Sequence, residues 1–207
     1  MKNLQTLGGA GNVSRETLAR LEKYAALLRK WNKAINLVSA STIEQIWNRH
    51  IVDSAQIFQL APKHAKLWVD MGSGAGFPGL VVACMAREER SDLKVVCIES
   101  DQRKSEFLRT IVRELDLKAE VIANRIEKVP PLAADVVSAR ALAPVPRLLD
   151  LAQRHLAPEG TAIFPKGAGY RKELDDAAAK WTFDIEIEPS ITDGNGVILT
   201  FGGIRRA

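Results

Sequence analysis

The hydrophobic pattern changes near residue 62, and after that point short apolar runs alternate with amphipathic stretches. Seven runs are rich in β-branched and other apolar residues and are predicted to be strands: residues 66–71, 93–100, 119–123, 135–140, 161–166, 183–188 and 196–203. Strands that alternate with helices form a largely parallel sheet covered on both faces. No convincing helix separates the last two runs, and TDGNG at residues 192–196 is typical of a hairpin turn. The pattern therefore predicts an α/β, Rossmann-like fold with a seven-stranded, mostly parallel sheet and an antiparallel last strand.

The first part of the chain is predicted to be helical. Between residues 14 and 32, apolar side chains recur at helical spacing, at Leu18, Leu21, Ala25 and Leu28. Ser14 is placed to cap the first turn of this helix. Two shorter helical segments are expected around residues 42–47 and 50–60. We therefore divide the chain into a helical, basic extension, residues 1–64, and an α/β domain, residues 65–207.

Charge is unevenly distributed between these parts. Residues 1–66 carry ten lysines and arginines against four acidic residues, a net charge of +6, whereas residues 67–207 carry nineteen against twenty-one, a net charge of −2. A basic surface suits a polyanionic partner, although a solvated charged face would show the same composition. No apolar run reaches the length of a signal peptide or membrane span, so a cytoplasmic protein is expected. Two cysteines without zinc or disulfide spacing predict buried apolar residues and no metal site.

A glycine-rich stretch follows the first predicted strand, where ligands bind in α/β sheets. It reads VDMGSGAGFPG, residues 69–79, and fits two patterns. The dinucleotide fingerprint G-x-G-x-x-G matches residues 74–79, but Pro78 removes a backbone donor where a pyrophosphate would bind. The other pattern suits a ligand with an ammonium group and no phosphates, such as S-adenosylmethionine, and consists of Asp70, Gly72, Gly74 and Gly76.

The second predicted strand ends at Glu99, whose carboxylate can accept hydrogen bonds from both ribose hydroxyls of an adenosine. A nicotinamide dinucleotide and S-adenosylmethionine would both use this residue. Hydride transfer normally needs a substrate domain with its own acid or base, and the remaining chain has no room for one. The balance therefore favours S-adenosylmethionine as the cofactor.

Seven motifs occur in order along the chain: KWNKAINLVS from residue 30, RHIVDSA from 49, VDMGSGAGFPG from 69, RKSEFLR from 103, NRIEKV from 124, SARALAP from 138 and FPKG from 164. Together they resemble the class I S-adenosylmethionine-dependent methyltransferases and, within them, the bacterial family that forms 7-methylguanosine in 16S rRNA, also known as glucose-inhibited division protein B. The resemblance implies the class I methyltransferase fold and methylation at N7 of the guanosine at position 527 of 16S rRNA.

The resemblance also implies cofactor contacts at five positions of this chain, Gly72, Phe77, Ile126, Glu127 and Arg140. They add to the set that the glycine pattern and the second strand indicate. The chain departs from the family at Ala75, where relatives often have proline, and at Met71, where a smaller apolar residue is common. Both departures leave the glycines intact.

Three side chains are candidates for the chemistry itself, through orientation and electrostatics. Guanine N7 carries a free lone pair, so transfer needs alignment and charge complementarity rather than a strong base. Arg140 and Lys166 end the fourth and fifth predicted strands, and we predict that they contact the cofactor carboxylate or a target phosphate. Asp53 and Phe77 are candidates to stabilise the cationic methylated base. The alternatives are that Asp53 caps a helix or pairs with Arg49, and that Phe77 only packs the loop.

RNA contacts are expected on basic residues of the extension and of the ligand-binding edge: Lys30, Lys33, Arg103, Lys104, Arg125 and Lys166. The expected partner is 16S rRNA within the small ribosomal subunit, bound by a monomer without a stable protein partner. Two other functions stay open. A ribosome-assembly factor could clamp RNA without catalysis, although it would not need the intact glycine set, and a small nicotinamide-dependent oxidoreductase could use the same fold.

Overall fold

The computed structural model describes residues 4–207 and begins with an antiparallel hairpin that the pattern did not predict. Its strands are β1 (Leu4–Thr6) and β2 (Asn12–Ser14). Helix α1 (Arg15–Asn32) follows directly. The Ser14 hydroxyl accepts a hydrogen bond from the Thr17 amide at 3.1 Å, which confirms the predicted cap.

The connection from α1 to the sheet is helical but more irregular than the sequence suggests. Helix α2 (Ala40–Ile43) is a single turn. It begins two residues before the predicted segment 42–47 and ends four residues before the end of that segment. A continuous helical segment then combines a π-helical turn (Trp47–Val52), α3 (Asp53–Ala55) and a 3-10 turn (Gln56–Leu60). The π turn contains three consecutive buried residues, His50, Ile51 and Val52.

The remaining strands and helices form the α/β domain. The strands are β3 (Leu67–Met71), β4 (Lys94–Glu99), β5 (Ala119–Ala123), β6 (Ala134–Ser138), β7 (Leu156–Lys166), β8 (Trp181–Pro189) and β9 (Val197–Arg206). The helices are α4 (Gly79–Glu89), α5 (Gln102–Glu114), α6 (Val145–His155) and α7 (Tyr170–Ala178). All seven predicted runs are strands of one sheet.

The sheet has the order β5-β4-β3-β6-β7-β9-β8. The pairings from β5 to β7 are parallel, whereas β9 pairs antiparallel with both β7 and β8. The predicted mostly parallel sheet with an antiparallel last strand is confirmed. The order reverses beside β3, because β4 lies on one side of it and β6 on the other, and this switch point is where α/β sheets bind ligands.

Two apolar cores lie against the sheet, and the larger one joins the extension to the α/β domain. It contains Leu21, Tyr24 and Leu28 of α1 together with Leu80 of α4 and Phe107 of α5. The boundary between the extension and the α/β domain, at residues 64 and 65, therefore stays a prediction, since residues on its two sides share one core. Residues 1–3 of the extension lie outside the described part.

The two cysteines are buried in this structure, as predicted for small apolar residues. Cys84 lies on α4 and Cys97 on β4, and neither forms a disulfide. Within residues 4–207 no group of three or more histidine, cysteine or acidic side chains is arranged to hold a metal. None of the described helices combines the length and apolar character needed to cross a membrane.

Candidate active site

The glycine-rich loop, residues 72–78, joins β3 to α4 at the carboxyl edge of the sheet. Gly72, Gly74 and Gly76 have φ angles of +67°, +55° and +92°, which L side chains rarely adopt. A Cβ at Gly76 would lie 2.3 Å from Tyr24 Oη and 2.8 Å from Leu80 Cδ1. Gly76 is therefore required both for the backbone conformation and for space.

Two rings of the extension stack on the Phe77 ring of this loop. The Tyr24 hydroxyl on α1 donates a hydrogen bond to the Ala75 carbonyl. The Tyr24 ring stacks on Phe77 with a centroid distance of 5.3 Å, and His50 stacks on Phe77 at 4.9 Å. Burial raises the pKa of Tyr24 well above its ordinary value, so the hydroxyl keeps the proton that it donates. The extension thus shapes the ligand-binding loop directly.

Asp70 lies behind the loop and is fully buried. Its Oδ1 accepts a hydrogen bond from the Ser138 hydroxyl at 2.7 Å, which links β3 to the end of β6. Burial raises the pKa of Asp70 to about 6, and the hydroxyls of Ser138 and Ser73 partly oppose the rise. Asp70 does not line the adjacent cavity, so its predicted part in cofactor binding would be to position the loop.

Glu99 ends β4 and is tied to the loop by its carboxylate. Oε2 accepts a hydrogen bond from the Gly74 amide at 2.8 Å, and Oε1 accepts one from the Asp101 amide at 2.8 Å. Each carboxylate oxygen has a second lone pair that stays available to a ligand hydroxyl. Glu99 is buried but still lines the cavity, which places it between the loop and any ligand.

A cavity of about 600 Å³ opens over the loop. Seven residues that the sequence assigns to the cofactor line it, namely Gly72, Gly74, Phe77, Glu99, Ile126, Glu127 and Arg140. Gly76, like Asp70, is not part of this wall; it lies on the side of the loop that faces Tyr24 and Leu80. A single cavity thus brings together most of the predicted cofactor set.

The wall formed by the turn after β5 presents both an apolar and an acidic side chain. Ile126 is almost completely buried, whereas Glu127 is half exposed and forms an ion pair with Arg147. Its own backbone amide and, more weakly, Arg147 hold the pKa of Glu127 below its ordinary value. Arg125, a predicted RNA contact, lies exposed at the same rim.

A second cavity of about 370 Å³ adjoins the first. The three residues predicted to act in the chemistry, Asp53, Arg140 and Lys166, all line it. Four residues line both cavities: Thr42, His50, Arg140 and Ala141. The site therefore consists of two compartments that meet at these four side chains.

Arg140 is fixed at this junction by three acceptors from the helical segment before β3. Its guanidinium donates to the Arg49 carbonyl at 3.0 Å, to Asp53 Oδ2 at 2.9 Å and to His50 Nδ1 at 2.8 Å. Asp53 and Arg140 are each only 17% exposed at the side chain, so this ion pair is well shielded from water. Asp53 pairs with Arg140, while Arg49 approaches Asp193 instead.

His50 is a site residue that the sequence analysis missed. A guanidinium can only donate, so His50 Nδ1 must accept, which leaves the ring neutral with its proton on Nε2. Burial and the charge of Arg140 lower the pKa of His50 to about 4. The available signal was its spacing of three residues from Asp53 in a helical segment, which places both side chains toward one side.

The predicted RNA-binding residues are placed differently from one another. Lys33, Arg103 and Lys104 line one shallow cleft between the end of α1 and the start of α5, and Lys104 also reaches the first cavity. Lys30 is exposed on the last turn of α1. Lys166 is largely buried, with Nζ 2.6 Å from Glu173 Oε2. In this arrangement Glu173 neutralises the charge of Lys166.

Solved structures share the fold of this chain. A methyltransferase from Geobacter sulfurreducens has a TM-score of 0.56 and 18% identity, with 89% of this chain and 88% of that chain covered. M. jannaschii TYW2, solved in complex with AdoMet, has a TM-score of 0.57 and 16% identity, with 82% and 78% covered. At these identities the likeness shows the fold alone.

Sequence relatives extend over nearly the whole chain. The ribosomal RNA small subunit methyltransferase G of Ruegeria pomeroyi is 52% identical over 195 residues, which cover 94% of this chain and 95% of that protein. The protein of the same name from Cereibacter sphaeroides strain ATCC 17025 is 54% identical over 188 residues, with 91% and 90% covered. The family described as rRNA small subunit methyltransferase G matches residues 17–197. With this match and these identities, the chain belongs to the rRNA small subunit methyltransferase G family.

Proposed function

We propose that this protein methylates N7 of the guanosine at position 527 of 16S rRNA, within the small ribosomal subunit. Membership of the family makes the chain an S-adenosylmethionine-dependent methyltransferase of small-subunit rRNA. The atom and the nucleotide are our proposal. The observation that supports it is the pair of cavities that meet at Thr42, His50, Arg140 and Ala141, because methyl transfer needs a donor site and an acceptor site in contact.

The residues of the first cavity fit S-adenosylmethionine. Its volume of about 600 Å³ is in the range of small-ligand sites. The carboxylate of Glu99 would accept from ribose hydroxyls, Ile126 and Glu127 would contact the adenine, and the loop at Gly72 would approach the amino-acid portion. When bound, S-adenosylmethionine would supply a methyl group on a cationic sulfur. Asp70 would act indirectly, because its carboxylate ties β3 to β6 through Ser138 and its carbonyl accepts from the Ser73 hydroxyl of the loop at 3.0 Å.

The junction favours an acceptor atom that has no proton to lose. His50 Nδ1 at the junction already accepts from Arg140, and the Asp53 oxygens beside it accept from Arg140, Thr192 and Gln56. Guanine N7 meets this condition, since its lone pair forms the new bond to carbon while the electron pair of the broken carbon–sulfur bond stays on sulfur. No base is needed, and the product base carries a positive charge next to the Asp53 carboxylate.

The basic cleft supports an RNA contact beyond the target base. Lys33, Arg103 and Lys104 line a cleft that meets the first cavity at Lys104, and their charges suit backbone phosphates of a folded RNA. This cleft is small, so we propose that the ribosomal subunit supplies much of the specificity by its shape. We further propose a monomer that acts in the cytoplasm. Equal methylation rates on protein-free 16S rRNA and on intact subunits would contradict the role of the subunit.

The test is methyl transfer to small subunits from cells that lack this gene. Purified protein is incubated with methyl-labelled S-adenosylmethionine, and the label is mapped by chemical cleavage at 7-methylguanosine. Label at the one proposed guanosine is expected. Cofactor binding without any transfer would favour the non-catalytic RNA clamp, whereas label at another atom or nucleotide would refute the proposed specificity. Family membership leaves the nicotinamide-dependent oxidoreductase without support.

A further inference from the structure

The second cavity has a wall that the catalytic assignment does not use, the turn between β8 and β9. The turn contributes Ser190, Thr192, Asp193 and Gly196 to the lining. It is held from the helical segment before β3, because Ile191 donates its amide to Gln56 Oε1 at 3.0 Å and Thr192 donates its hydroxyl to Asp53 Oδ1 at 2.6 Å. The turn is therefore a preformed part of the cavity.

We propose that this cavity receives the target guanine and that the Asp193 carboxylate accepts hydrogen bonds from its N1–H and its 2-amino group. The assignment rests on the function proposed above and names the residue that would read the base. The volume of the second cavity, about 370 Å³, is within the range of small-ligand pockets. An unpaired or flipped base is the state in which proteins read this edge of a nucleotide.

The position of the junction sets the orientation of the base. The methyl group enters from the first cavity, so N7 must face the boundary formed by Thr42, His50, Arg140 and Ala141. N1 and the 2-amino group lie on the opposite side of a purine from N7. They therefore face residues that line the second cavity alone, and Asp193 belongs to that set.

Two carboxylates line the second cavity, and Asp193 is the one with the weaker contacts inside the protein. Asp53 Oδ2 accepts from Arg140, and Oδ1 accepts from both Thr192 and Gln56. Asp193 Oδ1 accepts from the Asn195 amide at 3.0 Å, and Oδ2 has Arg49 at a distance of 3.8 Å. The Asp193 and Arg49 side chains are 42% and 45% exposed, so this long ion pair contributes little and is easily replaced.

This contact would distinguish guanine from adenine and favour the reaction. Guanine offers two parallel donors to a carboxylate, whereas adenine offers neither a proton on N1 nor a 2-amino group. A recognition site that expects donors rejects the base that lacks them, because its own polar group is left without a partner. The carboxylate also interacts more strongly with the base as it becomes cationic, which stabilises the transition state relative to the bound substrate.

The test compares two variants with wild type on small subunits reconstituted with guanosine or inosine at the target position. Inosine keeps N7 and N1–H but lacks the 2-amino group. Asp193→Asn keeps the turn bond to the Asn195 amide while placing an amino group toward the base. The control, Glu188→Gln, removes one charge from the exposed surface of β8, outside the cavity. S-adenosylmethionine affinity is measured for each protein.

Wild type and Glu188→Gln are expected to lose about 10- to 100-fold in kcat/KM on inosine, as for a hydrogen bond to a charged group. Asp193→Asn is expected to lose a similar factor on guanosine, to treat the two nucleotides almost equally and to bind S-adenosylmethionine normally. If Asp193→Asn retains the wild-type ratio of guanosine to inosine, the assignment of Asp193 is wrong while the proposed function stands. If wild type forms no 7-methylguanosine at the target, the proposed function fails and takes this assignment with it.

Discussion

Replacing Gly76 by alanine imposes both a backbone cost and a steric cost on the loop, and a comparison with Gly74→Ala separates the two. At a φ of +92° an alanine is strained, and left-handed conformations cost L residues roughly 1–2 kcal/mol. The new Cβ would also lie 2.3 Å from Tyr24 Oη and 2.8 Å from Leu80 Cδ1. Displacing the Tyr24 hydroxyl leaves the buried Ala75 carbonyl without its partner, which costs about 1–3 kcal/mol. The sum is a loss of about 2–5 kcal/mol in the free energy of unfolding.

Gly74→Ala is the matched control in the same loop. Its φ is +55°, and the nearest heavy atom to a new Cβ is the Gly72 carbonyl oxygen at 3.9 Å. Only the backbone cost of roughly 1–2 kcal/mol therefore applies. Urea denaturation at pH 7 measures both variants, and Gly76→Ala is expected to be less stable than Gly74→Ala by about 1–3 kcal/mol.

Combining Gly76→Ala with Tyr24→Phe tests the cause of the larger loss. Phenylalanine lacks the hydroxyl that the new Cβ would meet, so the double variant is expected to lose less stability than the two single variants together. Interaction free energies between contacting residues are about 0.5–3 kcal/mol. Equal stability of Gly76→Ala and Gly74→Ala, with additive losses in the double variant, would refute the idea that Tyr24 holds the loop against Gly76.

Three further predictions concern the junction and the basic cleft. Because the folded pKa of His50, about 4, is below its ordinary value of 6.5, its contribution to stability is present above pH 6.5 and is lost as the pH falls to 4. In urea denaturation at pH 7, wild type should therefore be more stable than His50→Gln, and this difference in the free energy of unfolding should decrease by about 3 kcal/mol as the pH falls to 4. A difference that does not change with pH would contradict this. Arg140→Lys, which cannot hold three acceptors in one plane, should lower kcat by about 10-fold or more in the methyl-transfer assay, and an unchanged kcat would argue against orientation by Arg140. Lys33→Ala should weaken subunit binding and reduce the slope of log affinity against log salt by about 1, and an unchanged slope would exclude a phosphate contact.

The sheet could be predicted from the sequence because its signals are local. Each of the seven strands is a short run of β-branched and apolar residues, and the hairpin of β8 and β9 has a recognisable turn. The start of α1 depended on Ser14, which caps a neighbouring amide. The first hairpin, β1 with β2, escaped prediction because its strands are only three residues long, too short for an alternating pattern to be recognised.

The supports of the loop could not be predicted because they depend on contacts between distant parts of the chain. Tyr24 and Ala75 are 51 residues apart, and Arg140 and His50 are 90 residues apart. Helical spacing indicates that Tyr24 faces a core without indicating which loop it meets. The glycine pattern also cannot separate Gly72, which lines the cavity, from Gly76, which supports it, because both positions require a positive φ.

Asp53 connects the helical extension to both cavities of the candidate active site. One carboxylate oxygen of Asp53 accepts from Arg140 at the boundary of the first cavity, and the other accepts from Thr192 in the turn that borders the second cavity. One wall follows β6 and the other is the turn that joins β8 to β9, so β7 lies between them in the sheet. Their spacing is therefore set through this carboxylate as well as by the sheet. In-line transfer loses rate steeply when the reacting atoms are misplaced by about 1 Å. In the function proposed above, a carboxylate that fixes both walls would contribute to catalysis by alignment, in addition to its charge beside the methylated base.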